Sequence, residues 1–115
     1  MNLRYTPQSI ADLQEIMDYI GNVLHGPAAA KRIVRSVLNG CASLKEFPEM
    51  GVSLAAKTGF ETDLRMLICG PYAVLYRVDK GANAVSVARI IHARQDYIRI
   101  LLGESRPAGQ EGFSE

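Results

Sequence analysis

Two histidines and two cysteines are all that this 115-residue sequence offers toward a transition-metal site or thiol chemistry. Neither CxxC nor HExxH occurs and no acidic loop has ligand spacing, so no metal is expected. A Cys69–His92 nucleophile pair can be drawn, but nothing places a third group to orient it, and Cys69 reads as strand filler. Gly51 and Gly59 stand isolated, and neither GxGxxG nor GxxxxGK(S/T) is present, so no phosphate loop and no cofactor are expected. No apolar run approaches the roughly 20 residues that span a bilayer. The opening MNLRYTPQ lacks the apolar segment of a secretory signal. These absences point to a cytoplasmic chain without a membrane partner, with Cys41 and Cys69 as buried, reduced thiols. Charge of one sign is scarce too. A net charge of +1 argues against holding nucleic acid by bulk field, and no sequence-specific nucleic-acid contact is expected.

What is present is enough apolar material, 48% of residues, for one domain with a real core. The chain is organised around residues 62–97, TDLRMLICGPYAVLYRVDKGANAVSVARIIHARQDY. Leu64, Met66 and Ile68 alternate with Arg65, Leu67 and Cys69. After Gly70-Pro71, Tyr72, Val74, Tyr76 and Val78 alternate with Ala73, Leu75 and Arg77. A third run sets Val85, Val87, Arg89 and Ile91 against Ala84, Ser86, Ala88 and Ile90. Period-two alternation cut by Gly/Pro and Gly/Asn turns predicts an antiparallel meander. Arg65, Arg77 and Arg89 lie inside these strands, where folding does not require a charge. Tyr72 and Tyr76 read as core, because Arg77 falls on the opposite face and leaves no basic neighbour for base stacking.

The strands are preceded by a helix pair. Asn2 to Tyr5 is an extended start, and Thr6-Pro7 is a cap followed by a residue suited to the first helical turn. Ile10, Leu13, Met17, Ile20 and Leu24 then form an apolar stripe, with Asp12, Glu15 and Asp18 placed on the solvent side. His25 reads as a turn residue. A second helix from Pro27 carries Ala30, Ile33, Val34, Val37, Leu38, Cys41 and Leu44, and its Gly40 is read as the point where the first helix comes close. Residues 48–61 have no periodicity and read as a crossing loop, and helical pattern returns at Ala93. The expected fold is α+β, in the order β-α-α-β-β-β-α: an N-terminal strand and an αα-hairpin packed on a small antiparallel sheet. Residues 1–103 form a single domain and residues 104–115 a flexible tail. Truncating Leu13, Met17 or Val37 should impair folding, by roughly 2–5 kcal/mol for the larger side chains if fully buried.

The order and spacing of SIADLQEIMDYI, AAAKRIVRSVLNG, EFPEMG, DLRMLICGPYAVLYRV and VARIIHARQDY resemble the RelE/ParE family of toxins from type II toxin–antitoxin systems. The likeness covers about residues 3–102 and is nearer the ParE branch. It implies a toxin of a plasmid-stabilisation-type module, blocked by a cognate ParD-like antitoxin that binds it directly. RelE-like members cut mRNA on the ribosome with basic residues and a late tyrosine. Their arginine after the tyrosine that starts the strand corresponds to Ala73, and their lysines fall where Leu64, Arg65 and Met66 stand. Arg65, Arg94 and Tyr97 are the residues that would act if the chain were a ribonuclease after all. ParE-like members poison DNA gyrase and block replication, and the pattern of Arg65, Tyr72, Tyr76 and residues 92–96 fits them better. The expectation is thus a non-catalytic gyrase inhibitor. A ribosome-dependent mRNA endoribonuclease and a non-toxic co-repressor stay open as alternatives.

Arg65, Arg89, His92 and Arg94 are the candidates for contact with target or antitoxin. For the arginines, a structural ion pair with Asp63, Asp79 or Asp96 competes with that role. His92, at the strand-to-helix junction, reads either as a partner of a backbone carbonyl or as an acid or base. Residues 65–106 carry a balance of +4 against −1 for residues 1–64, so the second half is the positive side.

Overall fold

A computed structural model describes residues 1–24, 26–94 and 99. Its elements are β1 (Asn2–Tyr5), α1 (Pro7–Asp18) continued by a π-helical segment (Tyr19–Leu24), and α2 (Pro27–Ser43). There follow β2 (Val52–Ser53), α3 (Leu54–Thr58), β3 (Arg65–Cys69), β4 (Tyr72–Asp79) and β5 (Ala84–His92). The strands form one five-stranded sheet in the order β1-β5-β4-β3-β2. The expected α+β fold and its antiparallel β3-β4-β5 meander are present. The sheet as a whole is mixed, because β1 runs parallel to β5. Residues 48–61 are not a plain loop: they hold β2 and α3, elements too short to show a period. The helix read from Ala93 does not begin there, since Ala93 and Arg94 form a turn; of its remaining residues only Arg99, which is helical, is described. The tail at 104–115 falls outside the described residues, as does His25.

Thr6 starts α1 as read from the sequence. Its Oγ1 accepts the Ser9 N–H at 3.1 Å, with Pro7 in the first turn. The stripe on α1 is only partly as expected: Ile20 is buried and Leu13 packs half-buried against the core, but Ser9, Asp12 and Ile16 are buried too, while Ile10 and Met17 remain 46% and 44% exposed. Met17 is therefore not a core residue, whereas Val37 is fully buried. The helix is rotated because its inner face meets a polar sheet edge rather than only apolar surface. Gly21 approaches α2, where an added Cβ would lie 3.7 Å from that of Ala30. Gly40 serves a different contact from the one expected. A Cβ there would land on Cys69 Sγ, so the glycine lets α2 sit against β3.

The sheet is buried on both sides. Toward the helices, Val74, Tyr76, Val85, Val87 and Ile90 pack with Ile16, Ile20, Val34, Val37 and Leu44. On the reverse, Leu64, Met66, Ala73, Leu75, Ala88 and Ile91 pack with Leu54 and the half-buried Phe60. The register slips once, between Leu75 and Tyr76, which pair with Arg89 and Val87 and leave Ala88 as the extra residue of a bulge. One inserted residue reverses which face later side chains take. Arg89 and Ile91 therefore do not continue the face of Val85 and Val87, as strict alternation had placed them. Ile90 does.

Candidate partner-binding site

β1 stops at Tyr5, opposite Val87, while β5 runs on to His92. The exposed flank of β5 beyond that point would carry polar backbone groups without partners. α1 supplies them. The Thr6 N–H donates to Val87 O at 3.0 Å, and the Thr6 hydroxyl to Ala88 O at 3.0 Å. Asp12 Oδ2 accepts the Ile90 N–H at 2.9 Å. A threonine and an aspartate thus stand in for the missing strand.

Asp12 also anchors the strand's arginine. Its Oδ2 accepts Arg89 Nε at 2.9 Å, and its Oδ1 accepts Arg89 Nη2 at 3.3 Å and Gln8 Nε2 at 3.1 Å. The side chains are 5% exposed for Asp12 and 28% for Arg89. Charge-assisted, two-pronged pairing of this kind fixes geometry as well as contributing energy. In the sequence Asp12 reads as solvated, and Asp63, Asp79 and Asp96 are the expected partners of the arginines. Asp63 does pair, but with Arg77 at 2.7 Å. The one available signal for Asp12 was an in-strand arginine needing a counter-charge, and that points to no position in particular.

The pair forms one wall of a cleft of about 300 Å³ between α1 and the β4–β5 end of the sheet. Glu15 and Tyr19 line it from the helix, and Tyr72 and His92 from the strands. Tyr72 and His92 are cross-strand partners whose rings meet edge to face, 5.6 Å apart at 75°. Burial, with the Tyr19 phenol nearby, pushes the Tyr72 hydroxyl above its ordinary pKa. The Arg94 N–H donates to His92 Nδ1 at 3.1 Å. In the neutral ring the proton therefore sits on Nε2. Tyr19 is half exposed and opens the π-helical segment, a distortion that recurs at functional sites. In the sequence Glu15 and Tyr19 look like ordinary surface residues of an amphipathic helix.

Of the sequence-derived candidates, the fold brings Arg89 and His92 to this cleft, with Arg94 beside it through its backbone. Arg65 is elsewhere, opposite Tyr76. Its Nε and Nη2 donate to Gly51 O at 3.1 and 2.7 Å, and Nη2 also donates to Glu49 O at 3.1 Å. Tyr76 completes that clamp: its hydroxyl accepts the Gly51 N–H at 2.9 Å and donates to Pro48 O at 2.8 Å. The EFPEMG turn is held in place by these two side chains. Tyr97 lies outside the described residues. Among the described residues, no group of three or more potential ligands could hold a metal, and no helix is long and apolar enough to cross a membrane.

Residues 3–97 match the family model described as the ParE toxin of the type II toxin–antitoxin system parDE. No curated protein matches significantly. Among solved structures, the chain is similar to one from a chromosomal ParDE toxin–antitoxin system of P. aeruginosa, with a TM-score of 0.65 and 25% identity over 80% of this chain and 95% of that one. It is also similar in fold to a chain of the RelBE2 toxin–antitoxin complex of Mycobacterium tuberculosis. There the TM-score is 0.58 and the identity 20%, over 79% of this chain and 95% of that one.

Proposed function

The chain belongs to the ParE toxin family of type II toxin–antitoxin systems, and from that membership we propose that it acts in the cytoplasm by binding DNA gyrase and blocking replication, with a ParD-like antitoxin holding it inactive by direct contact. It works by occupying another protein rather than by breaking a bond itself, as part of a module that stabilises a plasmid or chromosomal segment. The observation that carries this reading is the apolar packing at the positions where the ribonuclease branch would need cations. Ala73 is 1% exposed, and Leu64 and Met66 beside it are 1% and 8% exposed. All three pack with Leu54 and Leu75 on the reverse face of the sheet. A cation at Ala73 would enter that apolar layer without a partner, at a cost of several kcal/mol. Arg65 is the one basic residue among these positions, and its guanidinium is engaged by two backbone carbonyls.

The test sets two purified systems side by side. With gyrase and supercoiled plasmid, the chain should accumulate cleaved DNA, and added antitoxin should reverse this. With programmed ribosomes, mRNA should stay intact. Cut mRNA with untouched gyrase would overturn the proposal in favour of ribonuclease action. Normal growth on expression without antitoxin would leave only a partner-binding role.

A further inference from the structure

Among the described residues, the cleft between α1 and the β4–β5 end holds one carboxylate with no counter-ion. Asp12 and Arg89 neutralise each other at its wall, while Glu15 makes no ion pair among the described residues. The remaining polar lining is aromatic: the Tyr19 and Tyr72 phenols and the His92 ring. We infer that this cleft is a socket for one basic side chain, arginine or lysine, carried by an extended segment of the antitoxin. The identity of the partner rests on the toxin reading above. The chemistry of the socket does not.

Three features favour a cation. Aromatic faces attract a guanidinium or ammonium group, most strongly where water is partly excluded, and Tyr72 is 7% exposed. Glu15 at the rim supplies a charge-assisted acceptor for the same head group. An anion, in contrast, would face Glu15 and Asp12 together, and the Arg89 fork is already turned to Asp12. The volume of about 300 Å³ suits a single long side chain and is too small for a helix. The approach is open, since Tyr19 is 51% exposed and starts the π-helical segment.

An antitoxin is the occupant that charge complementarity favours. Residues 65–106, which hold β3, β4 and β5, carry a balance of +4, so a segment lying along these strands is expected to be acidic on the whole. A cleft of the opposite sign would then accept only the exceptional basic residue in that segment. It would thereby set the register of the segment along the toxin and reject partners lacking such a residue.

Tyr19→Ala and Glu15→Gln change exposed side chains and should leave the melting transition in place. Each should weaken binding of the antitoxin encoded with the toxin by about tenfold. Separately, N-acetyl-arginine methylamide added at high millimolar concentration should shift the His92 and Tyr72 ring signals in NMR spectra of the wild-type chain, and not those of Glu15→Gln. Unchanged antitoxin affinity in both variants overturns the inference. So does loss of gyrase poisoning with antitoxin affinity intact, which would assign the basic group to the target. If antitoxin fails to bind the wild-type chain while the arginine amide still shifts the rings, the toxin reading fails and the cation socket stands. If the amide shifts nothing in that case, both fail.

Discussion

Replacing Asp12 with alanine removes four hydrogen bonds at once, those from Ile90 N–H, Arg89 Nε, Arg89 Nη2 and Gln8 Nε2. Two consequences dominate. The Ile90 N–H is left buried without an acceptor, which costs about 1–3 kcal/mol. Arg89 loses the carboxylate that accepts from its Nε and Nη2. Breaking a fully buried pair from one side costs about 3–5 kcal/mol, but water reaches part of a side chain that is 28% exposed, so a smaller cost of about 2 kcal/mol applies. The expected loss is about 3–5 kcal/mol, or about 12–20 °C in the melting midpoint for a chain of this size. Asp12→Asn keeps an acceptor for Ile90 and loses only the charge, so it should cost about half as much. Urea denaturation of Asp12→Ala, Arg89→Ala and the double variant measures the coupling directly. The double variant should be more stable than the sum of the singles implies, by at least about 1.5 kcal/mol. A loss under about 1 kcal/mol for Asp12→Ala, or a coupling near zero, would refute the claim that Asp12 replaces the missing strand.

Three further outcomes follow from the packing. Tyr76→Phe orphans both Gly51 N–H and Pro48 O, and should cost about 2 kcal/mol in a denaturant titration while leaving the core volume nearly unchanged. Gly40→Ala gains about 1 kcal/mol of helix propensity but drives a methyl into Cys69 Sγ, an overpacking worth about 1–3 kcal/mol. It should destabilise the wild-type chain and become neutral or favourable in a Cys69→Ala background. Burial raises the Cys41 thiol from 9.0 to about 11, with Cys69 adding to the rise and a hydrogen bond with Tyr5 partly offsetting it. The unfolded chain then gives up this proton first. The thiol's contribution to stability is full below about pH 9 and is lost as pH rises toward 11, at roughly 1 kcal/mol per pH unit. Native-state alkylation of Cys41 should correspondingly lag that of the unfolded chain across this range, and Cys41→Ser should flatten the alkaline limb.

Much of this architecture is legible in local pattern. The β3-β4-β5 meander, the Thr6-Pro7 start and the α2 stripe, apart from the exposed Leu38, rest on alternation, caps and spacing, which report on neighbours near in sequence. What the pattern misses is set by partners far away. Asp12 looks solvated among Glu15 and Asp18, and only its contact 77 residues along, with Arg89, makes it a core residue. Ala88 carries no mark of a bulge, so strict alternation runs through it and assigns Arg89 to the wrong face. β2 has two residues and α3 five, below the length at which any period can be read. At the site, His92 and Arg89 stand out as charged or titratable groups in a strand. Glu15 and Tyr19 do not, because their role depends on what β4 and β5 place opposite them.

The same three events make the fold and open the cleft. β1 ends early, the bulge at Ala88 turns Arg89 out of the sheet's alternation, and α1 rotates its polar residues inward to meet the bare strand flank. Each would be a defect if it stood alone: an unpaired edge, a misdirected charge, a buried carboxylate. Together they satisfy one another, and the space left between helix and sheet is the cleft lined by Glu15, Tyr19, Tyr72 and His92. It follows that Asp12 and Arg89 cannot report on function by substitution, since losing either disturbs the wall itself. Glu15 and Tyr19 can, because they line the same space from an exposed helix face without holding the sheet edge. If variants at those two positions fold normally and still bind every partner at full strength, the cleft is a by-product of how the edge was closed, and recognition lies on another surface of the toxin.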